Sequence, residues 1–179
     1  MKGSAGKNLT GCCGLYCGLC SKHQSNAPSR CIGCRVGEQH SWCSIWNCCV
    51  KKRGFTTCAE CSEVFECEIF LRRKVAEWIP AADNLRRIKR DGPAVWLREQ
   101  MERQTLLEGL LHHYNEGRSM SFYCKACARM PVGLIQKAAE ESKEKSAGDK
   151  MNKPDIRSKA RWLKEALKRL ASEAKIDLT

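Results

Sequence analysis

The chain has 179 residues and no apolar run of the roughly 18 residues that a membrane span requires. Its opening, MKGSAGKNLTG, has charge but lacks the apolar stretch of a secretory signal, so a cytoplasmic location is expected. Strand-like alternation of apolar and polar residues is absent over any useful length. Aromatic residues are scarce at 7%, which gives little material for stacking on nucleic-acid bases. Also missing are a phosphate-binding glycine loop, a paired-carboxylate site, a zincin helix and a Ser-His-Asp arrangement. No catalytic motif is identified, and an enzymatic role is not expected. Acidic residues are in deficit: 20 Asp and Glu face 32 Lys and Arg, for a formal net charge of +12.

What the chain has in abundance is cysteine, 14 in all. Cys12, Cys13, Cys17, Cys20, Cys31, Cys34, Cys43, Cys48, Cys49, Cys58, Cys61 and Cys67 all precede residue 68, where large apolar residues are few. In a reducing compartment thiols stay free to ligate metal, which disfavours a disulfide scaffold. A structural zinc site contributes about 10 to 16 kcal/mol of apparent binding free energy, enough to order a segment that hydrophobic burial cannot hold.

Spacing strengthens the case. Cys-x-x-Cys pairs occur at Cys17/Cys20, Cys31/Cys34, Cys58/Cys61 and Cys124/Cys127. Two thiolates so spaced reach one ion from a tight turn, and a distant pair completes the tetrahedron. Zinc, at about two ions, is the expected metal. An iron-sulfur cluster is the alternative, because thiolates suit both. Cys13-x3-Cys17-x2-Cys20 has the spacing of the radical-SAM cluster motif, but no alternation of strands and helices follows it. His40, between Cys34 and Cys43, is a possible substitute ligand, whereas His112 and His113 fall on an expected helix.

Residues 10–61 are rich in Gly, Cys, Ser and Asn and hold neither period, which predicts loops and short turns. From Ser62, a plausible N-cap, Val64, Phe65, Ile69, Phe70, Val75, Trp78 and Ile79 predict a helix over 62–79. A short helix over 83–92 follows, closed by Gly92. Pro93 opens a longer one over 93–116, with Leu97, Met101, Leu107, Leu110, Leu111 and Tyr114 on its apolar side. One or two helices follow in SFYCKACARMPVGLIQKAAEE, where Phe122, Leu134, Ile135 and Ala138 can pack back. In the last segment Ile156, Ala160, Leu163, Leu167, Leu170 and Ala174 recur at heptad steps opposite a Lys/Arg face. The expected fold is a small, metal-stabilised, irregular Cys-rich module over 10–67, followed by a mainly α-helical region. That region covers 62–145 and packs on the module, with a linker over 146–154 and a basic amphipathic helix over 155–176.

The segments CCGLYCGLC, CIGC, CSIWNC and CAECSEVFEC resemble a family of uncharacterised cysteine-rich bacterial and archaeal proteins, described as a zinc-binding domain of unknown function. YNEGRSMSFYCKACARMPVGLI resembles a stretch found in one branch of that family. The likeness covers about residues 10–140. It implies a metal domain with a helical cap and no known reaction. Position by position, it implies metal ligands at Cys13, Cys17, Cys20, Cys31, Cys34, Cys43, Cys48, Cys58, Cys61 and Cys67. Cys12 and Cys49 stand outside the family's positions, which leaves either Cys48 or Cys49 as the ligand there, and Glu66 occupies a position where the family has Pro.

Charge is unevenly spread. Residues 1–60 carry eight Lys/Arg against two Asp/Glu, residues 61–149 fifteen against fourteen, and residues 150–175 nine against three. Each four-thiolate zinc site has a net charge of about −2, so two would largely cancel the N-terminal excess. The C-terminal excess remains. A binding or scaffold role follows, with an acidic protein, RNA or the ribosome as partner of the basic C-terminal helix, or with that helix simply packed on its own domain.

Overall fold

The computed structural model describes residues 9–36, 42–72, 80–148 and 154–178. Two compact units divide the chain, Met1–Met101 and Glu102–Thr179. Regular structure among the described residues is helical, with one isolated antiparallel bridge between Thr10 and Tyr16 and no strand. No described helix is long and apolar enough to cross a membrane.

The first unit begins as turns, as its composition predicts. A 3-10 turn at Cys17–Leu19 leads into α1 (Ser21–Gln24), and α2 (Ser44–Trp46) runs into a wider π turn at Asn47–Lys52. A second 3-10 turn, Cys58–Glu60, starts from Thr57. Thr57 and Glu60 form a reciprocal cap. The Ala59 N–H donates to Thr57 Oγ1 at 3.2 Å, and the N–H groups of Thr56 and Thr57 both donate to Glu60 Oε1 at 2.8 Å.

The helix expected over 62–79 is not formed as one element. Residues 62–66 are turn, Cys67 rather than Ser62 caps the short α3 (Glu68–Leu71), and residues 73–79 lie outside the described residues. Val64 and Phe65 are drawn apart: Val64 is buried, while Phe65 lies under the Arg86 guanidinium, 4.7 Å from its ring centroid. Ile69, expected on the core face, is exposed, as is Leu71.

α4 (Ala81–Asp91) brings Ala81, Leu85 and Ile88 to the core of this unit and ends before Gly92, close to expectation. α5 (Pro93–Tyr114) also forms where Pro93 predicts it, and the division between the units falls within it. Its buried residues differ from the expected apolar side. Trp96, Gln100 and Arg103 are buried with Leu107, Leu110 and Tyr114, whereas Leu97, Met101 and Leu111 are half-buried. Trp96 meets the edge of Tyr16 with ring centroids 6.1 Å apart.

The second unit is built from the end of α5 with α6 (Met120–Arg129), α7 (Val132–Gly148) and α8 (Ile156–Glu173). Its core holds Leu107, Tyr123, Met130, Ile135, Leu163 and Leu167 without measurable exposure. Full burial of each leucine or isoleucine contributes about 1.5 to 3 kcal/mol. Arg103 is buried here, and its Nη1 donates to the carbonyls of Cys127 at 2.7 Å and Met130 at 2.5 Å, closing the C-terminal end of α6. The linker expected from 146 is still helical to Gly148, and 149–153 lie outside the described residues.

α8 forms one residue inside its expected start, with the Asp155 carboxylate accepting from the Ser158 N–H at 2.7 Å. Ala160, Leu163, Leu167 and Leu170 of the heptad seam are buried as α8 packs along α7, while Ile156 and Ala174 at its ends are exposed. Arg169 ties the two helices through Glu141 at 2.5 Å. The seam therefore serves the protein's own core.

Candidate metal centre

Short-range turn chemistry brings the N-terminal thiols together. In GCCGLYC the Gly11 N–H donates to Leu15 O at 2.8 Å, and the Cys17 N–H to Leu9 O at 2.8 Å. Gly14 makes the bend with φ +83°, and a Cβ there would lie 2.6 Å from Ala81 O and 2.9 Å from Leu85 Cγ. Asn84 Nδ2 donates to Gly14 O at 2.9 Å, so α4 is seated directly on the turn. A second hydrogen bond, from the Cys58 N–H to Cys12 O at 2.8 Å, binds the Cys58/Cys61 turn to the same segment.

Two sets of thiols result. Cys17 hydrogen-bonds Cys34, with Cys31 close enough to act on it through its charge. That hydrogen bond and burial push the Cys17 thiol well above its ordinary pKa. The turns around this set are fixed by bonds from His23 Nδ1 to Cys31 O at 2.9 Å and from the Cys31 N–H to Lys22 O at 3.1 Å. Cys20 sits half-buried at the end of the Cys17–Leu19 turn.

The second set is Cys12, Cys49 and Cys58, all buried and mutually hydrogen-bonded, with Cys13 within electrostatic reach. Cys12 is pushed up, first by its bond to Cys49, then by its bond to Cys58 and by burial. Cys49 is shifted the other way, and its Sγ also donates to Phe55 O at 3.8 Å. Hydrogen bonds from Cys12 and Cys58 hold it well below the usual thiol range against the opposing effect of burial, and Arg35 and Arg53 add to the lowering. For Cys58 the bond with Cys12 lowers the pKa, but the bond with Cys49, burial and nearby sulfur charge outweigh it, and the net direction is upward.

Beside this set lies a cavity of about 240 Å³, lined by Cys48, Cys49, Cys58, Cys61 and Cys67 among others. Arg53 reaches its wall, where Nη1 donates to Cys61 Sγ at 3.0 Å and Nη2 pairs with Glu63 at 3.1 Å. Arg35 braces the region from the other direction. Its Nε donates to Thr10 O at 2.6 Å, its Nη2 donates to Thr56 O, and its guanidinium lies 5.6 Å from the Trp46 ring centroid. A helix cap occupies Cys43, whose Sγ accepts from the Trp46 N–H at 3.4 Å.

Of the ten positions expected as ligands, Cys17, Cys31 and Cys34 come together, and Cys58 joins Cys13, Cys12 and Cys49. Cys48, Cys61 and Cys67 share the cavity wall. Cys12 and Cys49 are the residues that stand outside the positions implied by the family resemblance. Adjacent residues project in different directions, so spacing alone does not say whether one or both of a Cys-Cys pair face a common centre. In the second doublet Cys49 is 3% exposed and Cys48 is half-buried. Cys124 and Cys127 are a separate case. They lie without measurable exposure in the core of the second unit, and burial pushes the Cys127 thiol up to about 12. His40 lies outside the described residues.

As donors these residues suit a soft divalent ion: none of the 14 cysteines is in a disulfide, and all twelve N-terminal ones are buried or half-buried. Their arrangement is not that of a preformed site. Among the described residues no group of three or more His, Cys, Asp or Glu side chains stands as a metal-holding set. Comparison with family models, curated proteins and solved structures finds no match for this chain.

Proposed function

We propose that the N-terminal unit is a structural zinc module and that the chain acts as a binding scaffold. The observation that carries this reading is the grouping of thiols outside any disulfide into two sets, the half-buried to buried Cys17/Cys31/Cys34 and the buried Cys12/Cys49/Cys58 with Cys13. Packing protonated thiols against one another in place of apolar side chains yields little stabilisation. Deprotonation onto a divalent ion turns the same residues into the strongest cross-link available to a segment with so small an apolar core. Cys20, separated from Cys17 by Gly18 and Leu19, would complete the first set through its Cys-x-x-Cys spacing. Metal binding would then draw each set into a tetrahedron from the positions its turns already occupy.

The resemblance of the cysteine motifs to an uncharacterised zinc-binding family supports the same reading. Reduced thiols accord with a cytoplasmic location, and the basic exposed face of α8 with an acidic partner such as an acidic protein, RNA or the ribosome. Metal analysis of anaerobically purified protein, with its absorption spectrum, tests the proposal. A colourless sample with about two zinc ions per chain is expected. A brown, zinc-free sample with a visible charge-transfer band would replace zinc by an iron-sulfur cluster, and a sample with neither metal would refute both readings.

A further inference from the structure

α8 presents a row of cations to a depression of about 720 Å³ on the second unit. Arg157, Arg161, Lys164 and Lys168 follow one another at steps of four, three and four residues, which places them on one face of the helix over roughly 16 Å. Arg118, from the turn after α5, faces them across the depression. Two carboxylates also line it, Glu116 and Glu165. Glu116 is already committed: it accepts from Ser119 Oγ at 2.6 Å and from Lys164 Nζ at 3.1 Å. Asp155, at the start of α8, is within electrostatic reach of Arg157 and Arg161. Arg118, Arg157, Arg161 and Lys168 remain exposed, the last lying 5.9 Å from the Phe122 ring centroid.

Every side chain that lines this depression is charged. That composition discriminates between partners. A stable protein interface needs an apolar or aromatic centre to supply its binding energy, and none is present here. Recognition of a phosphate backbone needs only cations at repeated intervals, and arginine's planar fork suits phosphate oxygens.

We propose that this depression holds the phosphodiester backbone of a nucleic-acid strand, contacted by Arg118, Arg157, Arg161 and Lys168 without base readout. The assignment rests on the reading of the chain as a binding scaffold but not on the metal, because every residue involved lies in the second unit.

The test is fluorescence polarisation of a labelled 20-nucleotide single-stranded RNA with the full chain, at a series of salt concentrations. Four phosphate contacts give a slope of log K against log salt of about −3, or about 50-fold weaker binding at 200 mM than at 50 mM. The pair Arg157→Gln/Arg161→Gln halves that slope, leaving about a sevenfold salt effect. The pair Lys137→Gln/Lys143→Gln removes the same charge from exposed positions elsewhere on the unit and leaves the slope unchanged. No binding at 50 mM salt, equal losses in both pairs, or a polyglutamate of the same length bound as tightly as the RNA would overturn the proposal. Metal content is measured on the same samples. Lost RNA binding with metal retained refutes this site alone, and RNA binding by a metal-free chain refutes the zinc reading alone.

Discussion

Gly14→Ala probes the contact on which the thiol-bearing turn is seated. The substitution forces a β-carbon into a backbone conformation at φ +83°, which costs about 1 to 2 kcal/mol for an L-residue. The new carbon would also meet Ala81 O at 2.6 Å and Leu85 Cγ at 2.9 Å. The nearer atom is backbone and cannot swing away. Relief requires the turn to move off α4, stretching the 2.9 Å bond from Asn84 to Gly14 O, and overpacking of this kind adds about 1 to 3 kcal/mol. A total of about 2 to 5 kcal/mol is expected, a large part of the stability of a small domain. The control is Gly54→Ala. Gly54 also has positive φ, at +68°, but a β-carbon there meets nothing within 4 Å, so only the conformational cost of about 1 kcal/mol remains. Urea unfolding of both variants, followed by tryptophan fluorescence and fitted at a common slope, gives the difference. If Gly14→Ala shifts the midpoint no further than Gly54→Ala, the close seating of the turn on α4 is wrong.

Cys17→Ser and Cys58→Ser should each lower bound zinc by about one ion per chain and loosen the first unit, whereas Cys124→Ser should leave metal content unchanged; elemental analysis beside circular dichroism checks this. In a chelated, native sample, Ellman's reagent should reach the N-terminal cysteines well before Cys124 and Cys127, whose reaction should await denaturant because both are fully buried. Arg103→Met should lower the thermal midpoint of the second unit by the equivalent of about 2 to 4 kcal/mol, since the carbonyls of Cys127 and Met130 lose a buried charged donor. Burial pushes the Glu116 carboxyl up, but hydrogen bonds from Ser119 and its own backbone, and the bond and charge of Lys164, outweigh it and hold the pKa below the usual 4.5. A depressed folded pKa stabilises above the unfolded value and is lost as pH falls through the folded one. The second unit should therefore weaken as acid is added below about pH 4.5, and Glu116→Gln should flatten that limb of a stability-against-pH series.

Helices were legible where one strong local signal sufficed. Pro93 marked the start of α5, Gly92 the end of α4, and the heptad leucines the buried side of α8. The expected helix over 62–79 did not form in its first part, where residues 62–66 are turn, with Val64 buried and Phe65 held under the distant Arg86 guanidinium. The buried side of α5 is one stripe at steps of four and three residues, Trp96, Gln100, Arg103, Leu107, Leu110 and Tyr114, and it differs from the apolar side because it includes two polar residues; Arg103 is held inside by the carbonyls at the end of α6, and Trp96 meets Tyr16.

By itself, the sequence determined that this is a thiol-rich, turn-built segment followed by helices, because composition and the Cys-x-x-Cys interval are properties of the local chain. Only the tertiary structure decided that Cys12 and Cys49 belong with Cys58, that Cys124 and Cys127 are core residues, and that the cations of α8 meet Arg118 across a depression. Each of these depends on segments far apart in the chain. Such meetings are set by packing, such as α4 on Gly14 and α8 on α7, which no interval in the sequence encodes.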